Sequence, residues 1–177
     1  NPTMNHSIYL EPDELSRLVV EAAVNADEQG YWRGEGPVAE DAVRHLVGFL
    51  GLLLGGDNDV SPHELTVFGK VFEGVQGTRP SDDELREAVE DSVAIADDPD
   101  AVAAFLTTTP AYLRAIQAMD RERGTRNADQ VLAALSGLAL AVLAADGRAE
   151  LEEDAVFSTH LDHLRRELKA QGIAVED

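Results

Sequence analysis

An acidic turn between two apolar helical segments occurs twice in this chain, and that repetition restricts the fold more than any other feature. The first copy reads Asp57-Asn58-Asp59-Val60-Ser61-Pro62-His63-Glu64-Leu65-Thr66-Val67-Phe68. The second reads Asp146-Gly147-Arg148-Ala149-Glu150-Leu151-Glu152-Glu153-Asp154-Ala155-Val156-Phe157, offset by 146 − 57 = 89 residues. At that offset Asp57 meets Asp146, Glu64 meets Glu153 and Phe68 meets Phe157. The match continues outward on apolar positions, with Leu46 against Leu135, Leu54 against Leu143, Phe72 against Leu161 and Val75 against Leu164. A half-buried strand would alternate with period two, and no segment does so convincingly. The expectation is an all-α fold: a compact bundle of about seven or eight helices with a degenerate internal duplication of helix–acidic loop–helix.

Local signals divide the chain in the same sense. Glu11-Pro12-Asp13-Glu14 opens a helix that should end before Gln29-Gly30, because proline suits the first turn and acids there oppose the positive end of the helix dipole. Tyr31–Pro37 reads as a loop, with Trp32 as a lid over the core rather than a partner anchor. Ala39–Gly55 is the first apolar helix. Ser61 with Glu64 and Ser81 with Glu84 are capping boxes that start the next two helices. A short helix over Asp100–Leu106 follows, then one from Thr109-Pro110 to about Gly124, the second apolar helix Thr125–Ala145, and a last helix Glu150–Ala170. No linker interrupts this pattern, so residues 1–177 read as one domain with loose tails at 1–11 and 171–177.

Charge excludes several classes of partner. The formal net charge is −20, from 14 basic and 34 acidic residues. Phosphate backbones and anionic membranes are repelled by such a field, whereas cations and basic proteins are attracted. The absence of cysteine removes disulfides, thiol nucleophiles and cysteine-ligated zinc. The longest apolar run, Leu46–Leu54, is nine residues including two glycines, far from the ~20 of a membrane span, and no signal peptide is apparent at Asn1–Glu11. A cytoplasmic protein without direct membrane insertion is expected.

The acidic turns are where chemistry could reside. Asp57 and Asp146 fall just past the C-terminal end of an apolar helix, where unpaired carbonyls already carry partial negative charge. Asp59 and Glu150 add charge to the same loops, and Glu64 and Glu153 stand where the next helix begins. Carboxylates and helix-end carbonyls together suit a hard cation, Ca²⁺ or Mg²⁺. The competing reading is that Asp57 and Asp146 close Asx-turns on their own backbone and the glutamates only cap helices. An EF-hand is excluded, because Pro62 stands where that loop needs glycine and Phe68 where it needs a bidentate glutamate.

Other candidates are weaker. His160 and His163, three apart on one helix, could face a common metal but lack a third ligand. His45, four residues after Asp41, reads as a surface ion-pair partner, and His63 as a neutral residue beside the first loop that could lean on Asp59. No nucleophile elbow, phosphate-binding glycine loop or His-Glu-x-x-His pattern is present, which argues against an enzyme.

Ala144-Ala145-Asp146-Gly147 followed by Glu153 resembles the signature of the TerB-like, tellurite-resistance-associated helical domains. Asp57 with Val60-Ser61-Pro62-His63-Glu64 is similar to it too, with Asn58 in the glycine position, and Ala118-Met119-Asp120 with Gly124-Thr125 resembles the approach to that family's second half. The likeness covers roughly residues 38–170. It implies an all-helical fold and an acidic surface that holds divalent cations at Asp57, Glu64, Asp146 and Glu153. It also implies a role in stress or metal-oxyanion resistance as a soluble partner of membrane-associated or multiprotein complexes. Arg148, where the first copy has Asp59, departs from an all-acid loop. The expected function is a non-enzymatic, cation-binding domain acting through protein partners. An adaptor with no metal site is the alternative, and a metal-assisted hydrolase a more distant one.

Overall fold

The computed structural model of the protein describes residues 10–54, 60–145, 147 and 154–172. Among these there are eight α-helices and no strand: α1 (Pro12–Glu28), α2 (Val38–Leu53), α3 (Pro62–Gln76), α4 (Asp82–Ala96), α5 (Pro99–Leu106), α6 (Ala111–Arg123), α7 (Asn127–Ala145) and α8 (Ala155–Ala170).

Most helices begin where side chains satisfy the unpaired amides of the first turn. At α3, Ser61 Oγ accepts from the Glu64 amide at 3.1 Å while Glu64 Oε1 accepts from the Ser61 amide at 2.9 Å. Ser81 and Glu84 repeat that exchange at α4. Asp98 caps α5 through the amides of Asp100 and Ala101, with Pro99 filling the first helical position. At α8 the cap is Asp154, which accepts from the Phe157 amide at 2.9 Å, so the helix begins five residues later than the expected Glu150.

Helix α7 is capped across a corner. The buried carboxylate of Asp120, on α6, accepts from the amides of Asn127 at 3.1 Å and Ala128 at 2.7 Å, and from the Thr125 hydroxyl at 2.6 Å. Gly124, with φ +70°, supplies the left-handed step that lets the chain turn there. Thr125 and Arg126 therefore belong to the corner, and α7 starts at Asn127 rather than Thr125.

One contiguous apolar core joins these helices, and α7 runs through it. Its neighbours are α1, α2, α3, α6 and α8. Helix α7 is long and apolar enough to cross a membrane by length and composition, at 19 residues and a mean hydropathy of 1.8 over its best window. A count of unbroken apolar runs does not reveal this, because the polar Ser136 divides the stretch. Here the helix is the interior of the bundle, with Val131, Leu135, Leu138, Ala139, Val142 and Leu143 completely buried.

The helices that follow α2 and α7 do not repeat one packing arrangement, as the expected internal duplication would require. Helix α8 packs back on α7, whereas the principal neighbour of α3 is α1. Gly74 permits that approach: a Cβ there would lie 2.1 Å from the backbone oxygen of Asp13. The sequence of α8 contains no glycine at all. The two helix starts are also out of step. Their N-caps, Ser61 and Asp154, are 154 − 61 = 93 residues apart, about one helical turn more than the 89 that relates the loops.

The expected tails shorten as well. Leu10 packs against the core, and Glu11 caps α1 and pairs with Lys70 at 2.9 Å. At the other end Gln171 ends α8 and donates to Gln117 Oε1 at 3.2 Å. Trp32 lies half-buried against the core with its indole N–H on the Gly36 carbonyl at 3.0 Å, as expected of a lid.

Candidate functional site

Of the six acidic residues expected to form a cation site, Asp57, Asp59, Asp146, Glu150 and Glu153 lie outside the described residues. Glu64 is 5% exposed, and its carboxylate is engaged by the amide of Ser61. That is the capping role, and it accounts for the residue without a metal. Among the described residues, no group of three or more histidine or acidic side chains is placed to hold a metal ion.

The histidines are rearranged relative to expectation. His45 is no surface ion-pair partner: it is 5% exposed and faces the interior. Asp41 instead binds Arg44 at 3.3 Å and accepts from the Tyr112 amide at 2.9 Å. His160 and His163 diverge. His160 is completely buried against α2, while His163 turns to Thr109 and lies 3.7 Å from Glu167. His63 is exposed, and Asp59 lies outside the described residues.

His45 and His160 form a buried relay with Tyr112. The Leu106 carbonyl lies 2.9 Å from His160 Nδ1, His160 Nε2 lies 2.8 Å from His45 Nε2, and His45 Nδ1 lies 2.7 Å from the Tyr112 hydroxyl. A carbonyl oxygen only accepts, so in the neutral pair His160 Nδ1 carries hydrogen and its Nε2 accepts from His45 Nε2–H. His45 Nδ1 is then left to accept from Tyr112. Every ring nitrogen has a partner and none needs a charge. Phe49 and Phe105 stack around the rings, with centroids 5.2–6.3 Å away.

The electrostatics follow from that enclosure. Burial, with His160 as the second cause, pushes His45 down to about 3. His160 is lowered by burial and by His163, against the opposing pull of the Leu106 carbonyl. Tyr112 is raised, by burial first and by Asp41 second. The relay ties α2, α6 and α8 to the end of α5 as a neutral polar knot.

Above this knot the outward side of α2 is open. Val43 and Val47 on α2, Phe72 and Val75 on α3, and Ala88 and Ile95 on α4 are half-buried and line a groove of about 680 Å³. A second hollow of about 460 Å³ adjoins it, sharing Arg44 and Ile95 and running over Ala104 and Phe105 of α5 to the edge of His45. Two glycines shape the floor. A Cβ at Gly48 would lie 2.7 Å from the Phe105 ring, and one at Gly51 2.2 Å from Ser92 Cβ, so α5 and α4 sit close on α2. The cause is compositional: α2 is apolar on more than the face the core uses. Ala42, Leu46, Phe49 and Leu53 fill the interior, and Val43 and Val47 remain for the groove.

Sequence reasoning missed both features although signals were present. His45 lies between Ala42 and Phe49 on the inward stripe of α2, at spacings of three and four, which marks it as interior. The long-range partners Tyr112 and His160 carry no local signal. The groove is foreshadowed only by the surplus of apolar positions on α2.

The chain was compared with protein-family models, with curated proteins and with solved structures. It matches none of them. The TerB-like resemblance therefore rests on its motif residues alone.

Proposed function

We propose that this chain is a non-enzymatic helical interaction domain that acts through a protein partner seated in the groove over α2. One observation carries the reading: a continuous apolar trough on a helix whose inner face is already filled by the core. An apolar groove with a polar rim is one form that interaction sites take, and half-buried side chains from three helices give this one a defined shape. In support of a non-enzymatic role, both ring nitrogens of His45 and of His160 are engaged within the fold, which leaves neither as a base for a bound substrate. The cytoplasm is the proposed compartment, since a cysteine-free chain gains nothing from an oxidising one. Any stress-resistance context rests on the TerB-like resemblance, and the adaptor reading does not depend on it.

The test uses an environment-sensitive apolar dye on the folded full chain. The dye should bind and brighten, an uncharged amphipathic helical peptide should displace it, and Val47→Glu should abolish both effects without shifting the unfolding midpoint by more than a few degrees. Undiminished dye binding in Val47→Glu would remove the groove from consideration.

A further inference from the structure

Resting on the groove reading just given, we infer that the partner is a cationic amphipathic helix. Its apolar stripe would lie along α2 and its basic residues against acids on both rims.

Two properties of the groove lead there. The first is its register. Ala39, Val43 and Val47 line it at intervals of four residues, so its apolar floor advances along α2 over more than two helical turns. A groove of this kind accepts an amphipathic helix through anchors at i, i+3 or i+4, and i+7. The second property is the sign of its rims. Glu40 on the α2 side and Asp91 on the α4 side are both exposed and both line the groove. Glu84 and Glu87, also exposed, stand seven and four residues before Asp91, on the same side of α4. The cation at the groove, Arg44, already lies 3.3 Å from Asp41. The local field is therefore negative on both edges of an apolar floor, within a chain of net charge −20.

That arrangement selects among occupants. A second copy of this chain would bring its own −20 to an acidic rim, and an anionic bilayer would be repelled in the same way. A helix with apolar anchors and lysine or arginine on the flanking positions meets both requirements. The rim acids would then act mainly on encounter and on partner choice, and the apolar floor on residence time.

The experiment titrates the 177-residue chain against three labelled peptides of about 18 residues, or ~27 Å of helix. They share one leucine stripe and carry lysine, glutamine or glutamate on the polar face. Fluorescence anisotropy is read at about 50 and about 300 mM salt. The lysine peptide is expected to bind at least about tenfold tighter than the glutamine peptide at low salt, with the gap narrowing at high salt. Glu40→Lys combined with Asp91→Lys should close that gap. Asp162→Lys, a reversal of an exposed acid on α8 away from the groove, should leave it open. Val47→Glu and, as a second groove variant, Val75→Glu should weaken all three peptides.

Equal affinity for the lysine and glutamine peptides, lost in both groove variants, would overturn the cationic partner and leave the groove as a docking site. An equal loss with Asp162→Lys would mean attraction to the bulk charge and would overturn the inference likewise. No binding by any peptide, or binding indifferent to both groove variants, would overturn the groove reading itself.

Discussion

A proton arriving at His45 would find both ring nitrogens already engaged. In the unfolded chain the same imidazole titrates near its ordinary value of ~6.5. In the folded chain it is held down to about 3 by burial, with His160 second. A lowered histidine pKa means that the unfolded state binds more protons between those values. Its contribution to stability is thus fully present above about 6.5 and is lost as pH falls from there towards 3. His160 is shifted in the same direction. The groups facing the pair are the Tyr112 hydroxyl, the Leu106 carbonyl and His163, with Asp41 beside Tyr112, and none of these places a carboxylate on either ring. At pH 5, His45 alone should remove about 2 kcal/mol of the stability measured at pH 7.5. Urea unfolding at the two pH values checks this. His45→Gln, whose amide can both donate to His160 and accept from Tyr112, should flatten the dependence by the share due to His45. An unaltered pH profile in that variant would show that the relay does not titrate as described. At this scale legibility was uneven. Ser61 with Glu64 and Ser81 with Glu84 were visible because a cap is a local pattern. The relay and the Asp120 corner were not: Tyr112 stands 67 residues from His45, and Asp120 serves a helix other than its own.

Helices were the most readable level, because period and punctuation are both encoded within a few residues. Starts and stops fell within a residue or two where a proline, a serine cap or a glycine marked them, as at Pro12, Ser61 and Gly77. They drifted where the cap came from elsewhere, as at α7, or where several acids competed for the role, as at α8. How helices pair was less legible, because close approach depends on small residues whose neighbours are distant in sequence. Gly74 is the clearest instance. With a backbone oxygen 2.1 Å from the position of an added Cβ, no rotamer change relieves the contact, and α1 must move away from α3. Alanine is favoured over glycine by about 1 kcal/mol in a helix interior, so propensity alone would stabilise Gly74→Ala. Close packing reverses the sign, and a net loss of about 1–3 kcal/mol is expected. Thermal unfolding of Gly74→Ala decides between the two, and a rise in midpoint would show that α1 can slide without cost. The buried Ser16, whose hydroxyl donates to the Val71 carbonyl at 2.8 Å across the same interface, should make such sliding expensive.

The whole molecule carries a charge of −20, and this complicates every question about cations. Any salt relieves self-repulsion, so a rise in midpoint on adding Ca²⁺ does not by itself indicate a site. The cation reading of Asp57, Asp59, Glu64, Asp146, Glu150 and Glu153 makes a sharper prediction. At matched ionic strength, Ca²⁺ or Mg²⁺ should raise the midpoint saturably above the sodium control, and Asp146→Asn should remove the excess. Superimposable curves for calcium and sodium would reduce the loops to caps and solvating charge.

The burial of α7 also bears on how the molecule is made. Among the described helices that pack on it, α1, α2, α3 and α6 precede it in the chain and α8 follows. During synthesis, a segment apolar enough to be mistaken for a membrane anchor therefore leaves the ribosome after most of its shelter has emerged. Reversing that order, by circular permutation to place α7 first, would expose it to chaperones and membranes before any partner helix exists.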